Sequence, residues 1–276
     1  MVCPPPFIAM IKLEAKRCPL CNSPIRVLRR EDGSAAHYVG IADEYEKQFT
    51  PNPISPFLKD YLKAKRAGKK TVAIVGAAHS SGPWAPFGEE GIEVWCANEL
   101  HGYPWVDVEG VTRWFQIHVK SSFTKKHDFS HWEWLQEEHD FPIYMQQVFE
   151  DVPSSIKFPL REIQKDLIGN IYRGEEKIEK LFSSTMSYQI ALALWEGKFD
   201  RIELYGIELV MDGEYAYQRE AMAFWMGKAD GMGIDIWIPE DCALLIQPLY
   251  GYEQVRKESG EIVWSSEGIY ADNESV

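Results

Sequence analysis

Residues Thr71-Val-Ala-Ile-Val-Gly-Ala-Ala-His-Ser-Ser-Gly82 constrain this chain more than any other stretch. A run of β-favouring residues leads straight into a glycine followed by small residues. A buried parallel strand ends in this way. Small residues in the turn let backbone N–H groups approach an anion closely, and a helix starting next adds its partial positive charge. The spacing is neither GxGxxG nor GxxxxGK[ST], so neither the dinucleotide fingerprint nor the P-loop is supported. The competing reading is an ordinary tight turn between a strand and a helix.

Downstream of Thr71 the pattern alternates. Ile92–Ala97, Arg113–His118, Pro142–Met145, Arg201–Gly206 and Ile234–Pro239 read as further strands. Ser184–Trp195 has apolar residues at helical spacing, with Gly197 as its C-cap, and Tyr217–Lys228 reads as a second helix. Strands alternating with helices predict an α/β fold with a mostly parallel sheet flanked by helices. In such sheets ligands sit outside the carboxyl ends of the strands. His79, Asn98, Glu99, His118 and Glu208 all fall at predicted strand ends.

The chain divides unevenly by charge. Residues 1–70 hold 13 Lys and Arg against 7 Asp and Glu, whereas the remainder holds 16 against 35. The acidic body would repel a nucleic-acid backbone, but the basic N-terminal part could touch one. A solvated charged surface with no partner is the plainer alternative. Four regions are expected. These are a small unit at 1–40, a linker and basic helix at 41–70, a nucleotide-binding domain at 71–254, and a polar tail or hairpin at 255–276. Pro51, Pro53 and Pro56 place the linker near 48–56. No apolar run reaches the roughly 20 residues that cross a bilayer. The opening Met1-Val-Cys-Pro-Pro-Pro has no basic segment before an apolar one, so the expected location is cytoplasmic.

In the N-terminal unit, Cys18-Pro-Leu-Cys21 has zinc-knuckle spacing. Cys3 and His37 are the other cysteine and histidine before His79, so a Cys₃His site from Cys3, Cys18, Cys21 and His37 is expected. A structural zinc would explain how so small a unit holds a fold. A redox pair or two idle thiols are the alternatives. The runs on either side of Asp32-Gly33 read as a hairpin. Cys96 and Cys242 read as buried packing residues. His127-Asp-Phe-Ser-His131 has i,i+4 spacing but lacks the Glu of HExxH, and it suits a helix start better than a metal site. Trp132 and Trp134 read as core aromatics rather than a base-stacking platform.

The order of these pieces resembles the bacterial sialyltransferases with a Rossmann-like fold. Gly76-Ala-Ala-His-Ser-Ser81 stands where they carry a Gly-x-Gly-Pro-Ser-Leu turn. Trp95-Cys-Ala-Asn98 stands where a strand ends in Cys-Asn. Ser183-Ser-Thr-Met-Ser187 through Gly197, then Ile202-Glu-Leu-Tyr-Gly-Ile-Glu208, looks like their Thr-Ser-Gly helix and the strand ending in Gly-Ile-Asp. The layout over roughly 71–250 is also similar to archaeal pterin pyrophosphokinase-like proteins. It looks closest to phage-encoded proteins with Trp114-Phe-Gln-Ile-His118 and Glu214-Tyr-Ala-Tyr-Gln-Arg219. The resemblance implies a nucleotide held by Gly76, Ser80, Ser81, Asn98, Ser184 and Thr185. Two departures stand out: His79-Ser80 replaces Pro-Ser, and the family's late catalytic histidine has no counterpart after His139.

The expected activity is therefore glycosyl transfer from a nucleotide-sugar, with a modified nucleotide or DNA as acceptor. His118, Glu208 or His79 would act as base, and Arg219 with the serines would stabilise the leaving phosphate. The alternatives are a diphosphotransferase needing Mg²⁺ held by carboxylates, or a non-catalytic nucleotide binder. Expected partners are the nucleotide, a nucleic acid at the basic part, and a second copy of the chain, but no membrane. Elemental analysis of the purified protein tests the N-terminal unit: about one zinc per chain is expected, lost in Cys18→Ser.

Overall fold

The computed structural model describes residues 53–124, 130–209, 214–240, 242, 244 and 245. It also describes the backbone of strand residues 16–17, 24–28, 37–40, 254–256 and 262–264. In the N-terminal unit β1 (Lys16–Arg17), β2 (Pro24–Leu28) and β3 (His37–Gly40) form a small antiparallel sheet. Leu28 pairs with His37 and Ile25 with Gly40, the hairpin expected around Asp32-Gly33. Cys3, Cys18 and Cys21 lie outside the described residues, as does the side chain of His37, and so does the expected zinc site.

The first helix, α1 (Pro56–Arg66), begins at a proline that the linker reading placed outside it. Proline suits that position because the first N–H of a helix has no intrahelical partner. The Ser55 side chain caps the helix by accepting from the Leu58 N–H. Strand β4 (Thr71–Val75) follows, then β5 (Ile92–Ala97) and β6 (Arg113–Gln116). Two short helices come next, α2 (Lys120–Phe123) and α3 (His131–Leu135), then β7 (Ile143–Met145) and β8 (Ser155–Lys157). Helix α4 (Leu160–Leu167) leads through a small ribbon, β9 (Tyr172–Arg173) with β10 (Glu176–Lys177), to α5 (Thr185–Glu196). The body closes with β11 (Arg201–Tyr205), α6 (Glu214–Gly231) and β12 (Asp235–Trp237). Beyond it, β13 (Gln254–Arg256) pairs antiparallel with β14 (Ile262–Trp264), the hairpin alternative for the polar end.

Seven strands make one sheet in the order β12-β11-β4-β5-β6-β7-β8. Every neighbouring pair is parallel. The predicted α/β class is thus observed, with helices on the sheet and one strand, β8, that the sequence did not signal. Helices cover both faces because alternate side chains of a strand point to opposite sides. Val72 and Ile74 pack with α4, α5 and α6 in one core. Ala73 and Val75 pack in the other, with Phe123 of α2, Leu135 of α3 and the aromatic loops between strands. Helix α5 is buried along most of its length, which fits its largely apolar sequence. Gly197 ends it in the left-handed conformation at φ 62°. Among the described residues no helix is long and apolar enough to cross a membrane.

A buried charge cluster fixes α1 to the sheet. The Glu203 carboxylate, with no exposed surface, accepts from the Arg66 and Arg201 guanidiniums and the Tyr205 hydroxyl. Burial alone would lower the Arg66 pKa, but the hydrogen bond to Glu203 and the charges of Tyr205, Glu203 and Glu89 together outweigh it and push it up. Such a pair is costly to break, because one buried charge is left without its partner.

Chain direction reverses at β4. From there the chain steps outward to β8, then returns to β11 on the opposite side. The loops leaving β4 and β11 therefore cross, and they cross at glycines. A Cβ on Gly76 would lie 2.5 Å from the Gly206 carbonyl oxygen, and one on Gly206 would lie 2.5 Å from that of Gly76. Gly206 also sits at φ 63°. Gly197 has a similar φ but nothing within 4 Å of its Cβ position. Gly206→Ala is therefore expected to cost about 3 kcal/mol from strain plus steric clash. Gly197→Ala is expected to cost only about 1 kcal/mol. Urea unfolding of the two variants checks this difference.

Candidate functional site

The carboxyl ends of β4, β5 and β11 form the crevice where strand order reverses, the place at which open α/β sheets take ligands. The β4 turn there is less open than its sequence suggests. Gly76 N–H donates to Tyr205 O, Ala78 N–H to Gly206 O, and Gly82 N–H to Ala78 O. Ser81, 1% exposed, accepts from the Gly206 N–H through its hydroxyl. Gly76 is thus glycine because another backbone crosses it. Ser80 is the outward-facing member of the turn, and its hydroxyl donates to the Glu208 carboxylate at 2.5 Å. Two sequence-predicted residues, 128 positions apart, are brought into contact in this way.

Other predicted residues converge on the same crevice. Asn98 ends β5 in the left-handed region at φ 56°, a conformation asparagine tolerates. Its Oδ1 is buried without a hydrogen-bond partner among the described residues. Gln189 on α5 has no exposed surface; its amide donates to the Cys96 carbonyl, and its Oε1 is also unpartnered. Sequence reasoning missed Gln189. The signal was there, since it is a lone amide in an apolar helix and buried amides need partners. The buried Cys242 thiol donates to Ile207 O. Its pKa is pushed up to about 11, chiefly by burial, with Glu208 raising it and Arg219 lowering it. Glu208 and Arg219 therefore both face this end of β11. Cys96 is buried as expected, and burial pushes its thiol pKa up.

Ser184 and Thr185 stand at the start of α5, but the Ser184 hydroxyl is engaged. It accepts from the Ser187 N–H, while the Ser187 hydroxyl accepts from the Ser184 N–H. This reciprocal capping box satisfies the backbone N–H groups of Ser184 and Ser187 at the start of the helix. Ser183 donates to Tyr217 O, which ties the start of α5 to α6.

The histidines do not form one group. His79 lies on the β4 turn between the rings of Tyr103 and Trp105, and burial lowers its pKa. His118 lies past the end of β6 and is exposed. Three strand spacings of about 4.8 Å separate the lines of β11, which leads to Glu208, and β6, which leads to His118. Instead His118 joins a cluster that the sequence reading did not assemble. Its Nδ1 is 2.8 Å from Gln116 Oε1, which also accepts from the His118 backbone N–H at 3.2 Å. Gln116 Nε2 is 2.6 Å from His131 Nε2, and His131 Nδ1 is 2.9 Å from His101 Nε2. Gln116 is 2% exposed and His131 has no exposed surface. Trp134 stacks on His101 with ring planes 3° apart and packs against His139, as expected of a core aromatic. His127 and Asp128 lie outside the described residues, so the predicted 127–131 pair is described only at His131. Among the described residues no three His, Cys, Asp or Glu side chains cluster as a metal site.

No protein-family model and no curated protein matches the chain. A solved structure does: the sialyltransferase CstII from Campylobacter jejuni, in complex with a substrate analogue, cytidine-5'-monophosphate. The two are 15% identical, with a TM-score of 0.37 over 66% of this chain and 82% of that one. A likeness of this size decides nothing about substrate or site residues.

Burial lowers the His101 pKa to about 4, and His139 adds to the shift. In the unfolded chain the imidazole takes up its proton near pH 6.5. Between these values the unfolded state binds more protons, so stability falls as pH drops. This contribution is intact above pH 6.5 and gone below about 4. His79 acts with the same sign. Melting temperatures across this window are expected to fall less steeply in His101→Gln than in the parent protein.

Proposed function

We propose that the crevice at the ends of β4, β5 and β11 binds the nucleotide of a nucleotide-sugar and that the chain transfers the sugar to an acceptor hydroxyl. The observation that carries this reading is the pair of buried, unpartnered acceptors at the reversal of strand order, Asn98 Oδ1 and Gln189 Oε1. More than nine in ten buried polar groups are bonded, and an unmet one costs about 1–3 kcal/mol. Two such acceptors at a switch point call for a ligand that donates hydrogen bonds, such as a base amino group or ribose hydroxyls. The order of motifs along the sequence supports the same reading.

Within that reading Ser80 and Arg219 stand near the leaving phosphate. The Glu208 carboxylate, engaged by Ser80, holds the loop, and His118 is the base. The acceptor oxygen attacks the anomeric carbon, the bond from that carbon to the phosphate oxygen breaks, and the nucleotide leaves with the electron pair. The acceptor proton passes to His118. DNA or a modified nucleotide remains the acceptor suggested by the basic N-terminal part.

Thermal unfolding with CMP, UDP, GDP and ATP, each with and without Mg²⁺, tests the binding step. A true ligand at 100 times its Kd stabilises by about 2.7 kcal/mol, and Asn98→Ala is expected to weaken the effect about tenfold in Kd. A stabilising nucleotide that works only with Mg²⁺ would favour diphosphate transfer. Absence of any shift with all four sinks the proposal.

A further inference from the structure

The exposed His118 ends a chain of hydrogen bonds that starts in the core, and the direction of every bond in it follows from one backbone group. The His118 backbone N–H can only donate. The side-chain atom it meets, 3.2 Å away, must therefore be the oxygen of the Gln116 amide. That fixes the amide orientation, which coordinates alone do not distinguish. The Gln116 NH₂ then faces His131 Nε2 at 2.6 Å, so this nitrogen must be the acceptor. A neutral His131 consequently carries its proton on Nδ1 and donates it to His101 Nε2 at 2.9 Å. His101 in turn keeps its proton on Nδ1. At the other end, the same Gln116 oxygen accepts from His118 Nδ1 at 2.8 Å. Neutral His118 thus holds its proton on Nδ1 and turns its Nε2 lone pair away from the chain. Among the described residues no group bonds that Nε2.

From this geometry we infer that Gln116, His131 and His101 are positioning residues that lock His118 in the Nδ1–H tautomer and make Nε2 its proton-accepting atom. The inference rests on the reading of His118 as the base. An imidazole without such a partner exchanges between two tautomers and turns about its side-chain bonds. Here the partner is a buried amide at the last residue of β6, which cannot rotate without losing both the His118 and the His131 bonds. His131 opens α3, with no surface exposed, and so cannot yield to a flipped amide. His101 is held flat against Trp134, with ring centroids 4.3 Å apart. The rigidity of the packed core around Trp114 and Trp134 is thereby passed to one surface imidazole, as a third group orients the base in other catalytic histidines.

Nitrogen-15 NMR of histidine-labelled protein in alkaline buffer reads the tautomers directly, without any substrate. In the parent protein His101, His131 and His118 are all expected as Nδ1–H. Gln116→Leu removes the acceptor, so the His118 signals should move to the averaged values of an exchanging imidazole. Gln116→Glu keeps the acceptor for His118 but replaces the donor facing His131. His118 should then remain Nδ1–H while His131 gains a proton on Nε2. An Nε2–H His118 in the parent protein overturns the inference, even if neither variant folds. So does a His118 whose tautomer is unchanged in a folded Gln116→Leu protein.

Release of nucleotide from a nucleotide-sugar provides the catalytic reading. Gln116→Leu should lower kcat about 100-fold with KM unchanged, and Gln116→Glu should restore most of it. Full activity in His118→Ala would instead refute the base assignment, while the tautomer spectra would still decide the chain of bonds.

Discussion

The crossing of two loops at Gly76, Gly82 and Gly206 is the constraint on which the rest of the structure depends. Two backbones approach there so closely that a single methyl group on either would meet a carbonyl oxygen at 2.5 Å. The approach allows β4 and β11 to pair along their full lengths, from Thr71–Arg201 to Val75–Tyr205. That pairing puts the reversal of strand order in the middle of the sheet. Every group at the crevice takes its place from it: Ser80 against Glu208, Ser81 against the Gly206 N–H, and Asn98 one strand away. The buried Glu203 cluster acts on the same strand pair along β11, where it ties α1 to the sheet.

The strand ends carry two kinds of polar group. In the crevice are buried acceptors with no partner, Asn98 Oδ1 and Gln189 Oε1, which cost stability as they stand and gain it from a ligand. Past the neighbouring strand β6 is the opposite arrangement, in which Gln116, His131 and His101 satisfy one another and leave a single outward lone pair on His118. In the function we propose, the crevice recognises the nucleotide and the His118 imidazole meets the acceptor.

Much of the fold was legible because its signals are local. Thr71–Val75 and Ile92–Ala97 are mostly apolar runs of strand length, and the structure places strands over those residues. Ser184 and Gly197 punctuate α5 at both ends, the serine through its capping box and the glycine through its positive φ. β8 escaped notice because three residues, two of them exposed, carry no periodicity. Pro56 misled in the other direction: a proline reads as a break, yet the first turn of a helix accepts it. At the site, Ser80, Asn98 and Glu208 were identifiable as polar residues just past strands. Gln116 and Gln189 were passed over, because an amide inside an apolar run reads as a lapse in the pattern unless one asks what a buried amide would bond.

The sequence by itself determined most strands of the central sheet and the helices after β10 and β11, that the strands run parallel, and that chemically capable residues gather at their carboxyl ends. These follow from periodicity, turn chemistry and the alternation of elements, all of which act over a few residues. Only the tertiary structure decided why residue 76 is glycine, which histidine presents a lone pair, and which polar atoms lack partners. Each of those depends on contacts between segments far apart in the chain, 125 residues in the case of Ser81 and Gly206. The turn at Gly76 reads in sequence as a cradle for phosphate. In the folded protein its glycine makes room for a second backbone, and this crossing brings Ser80 alongside Glu208.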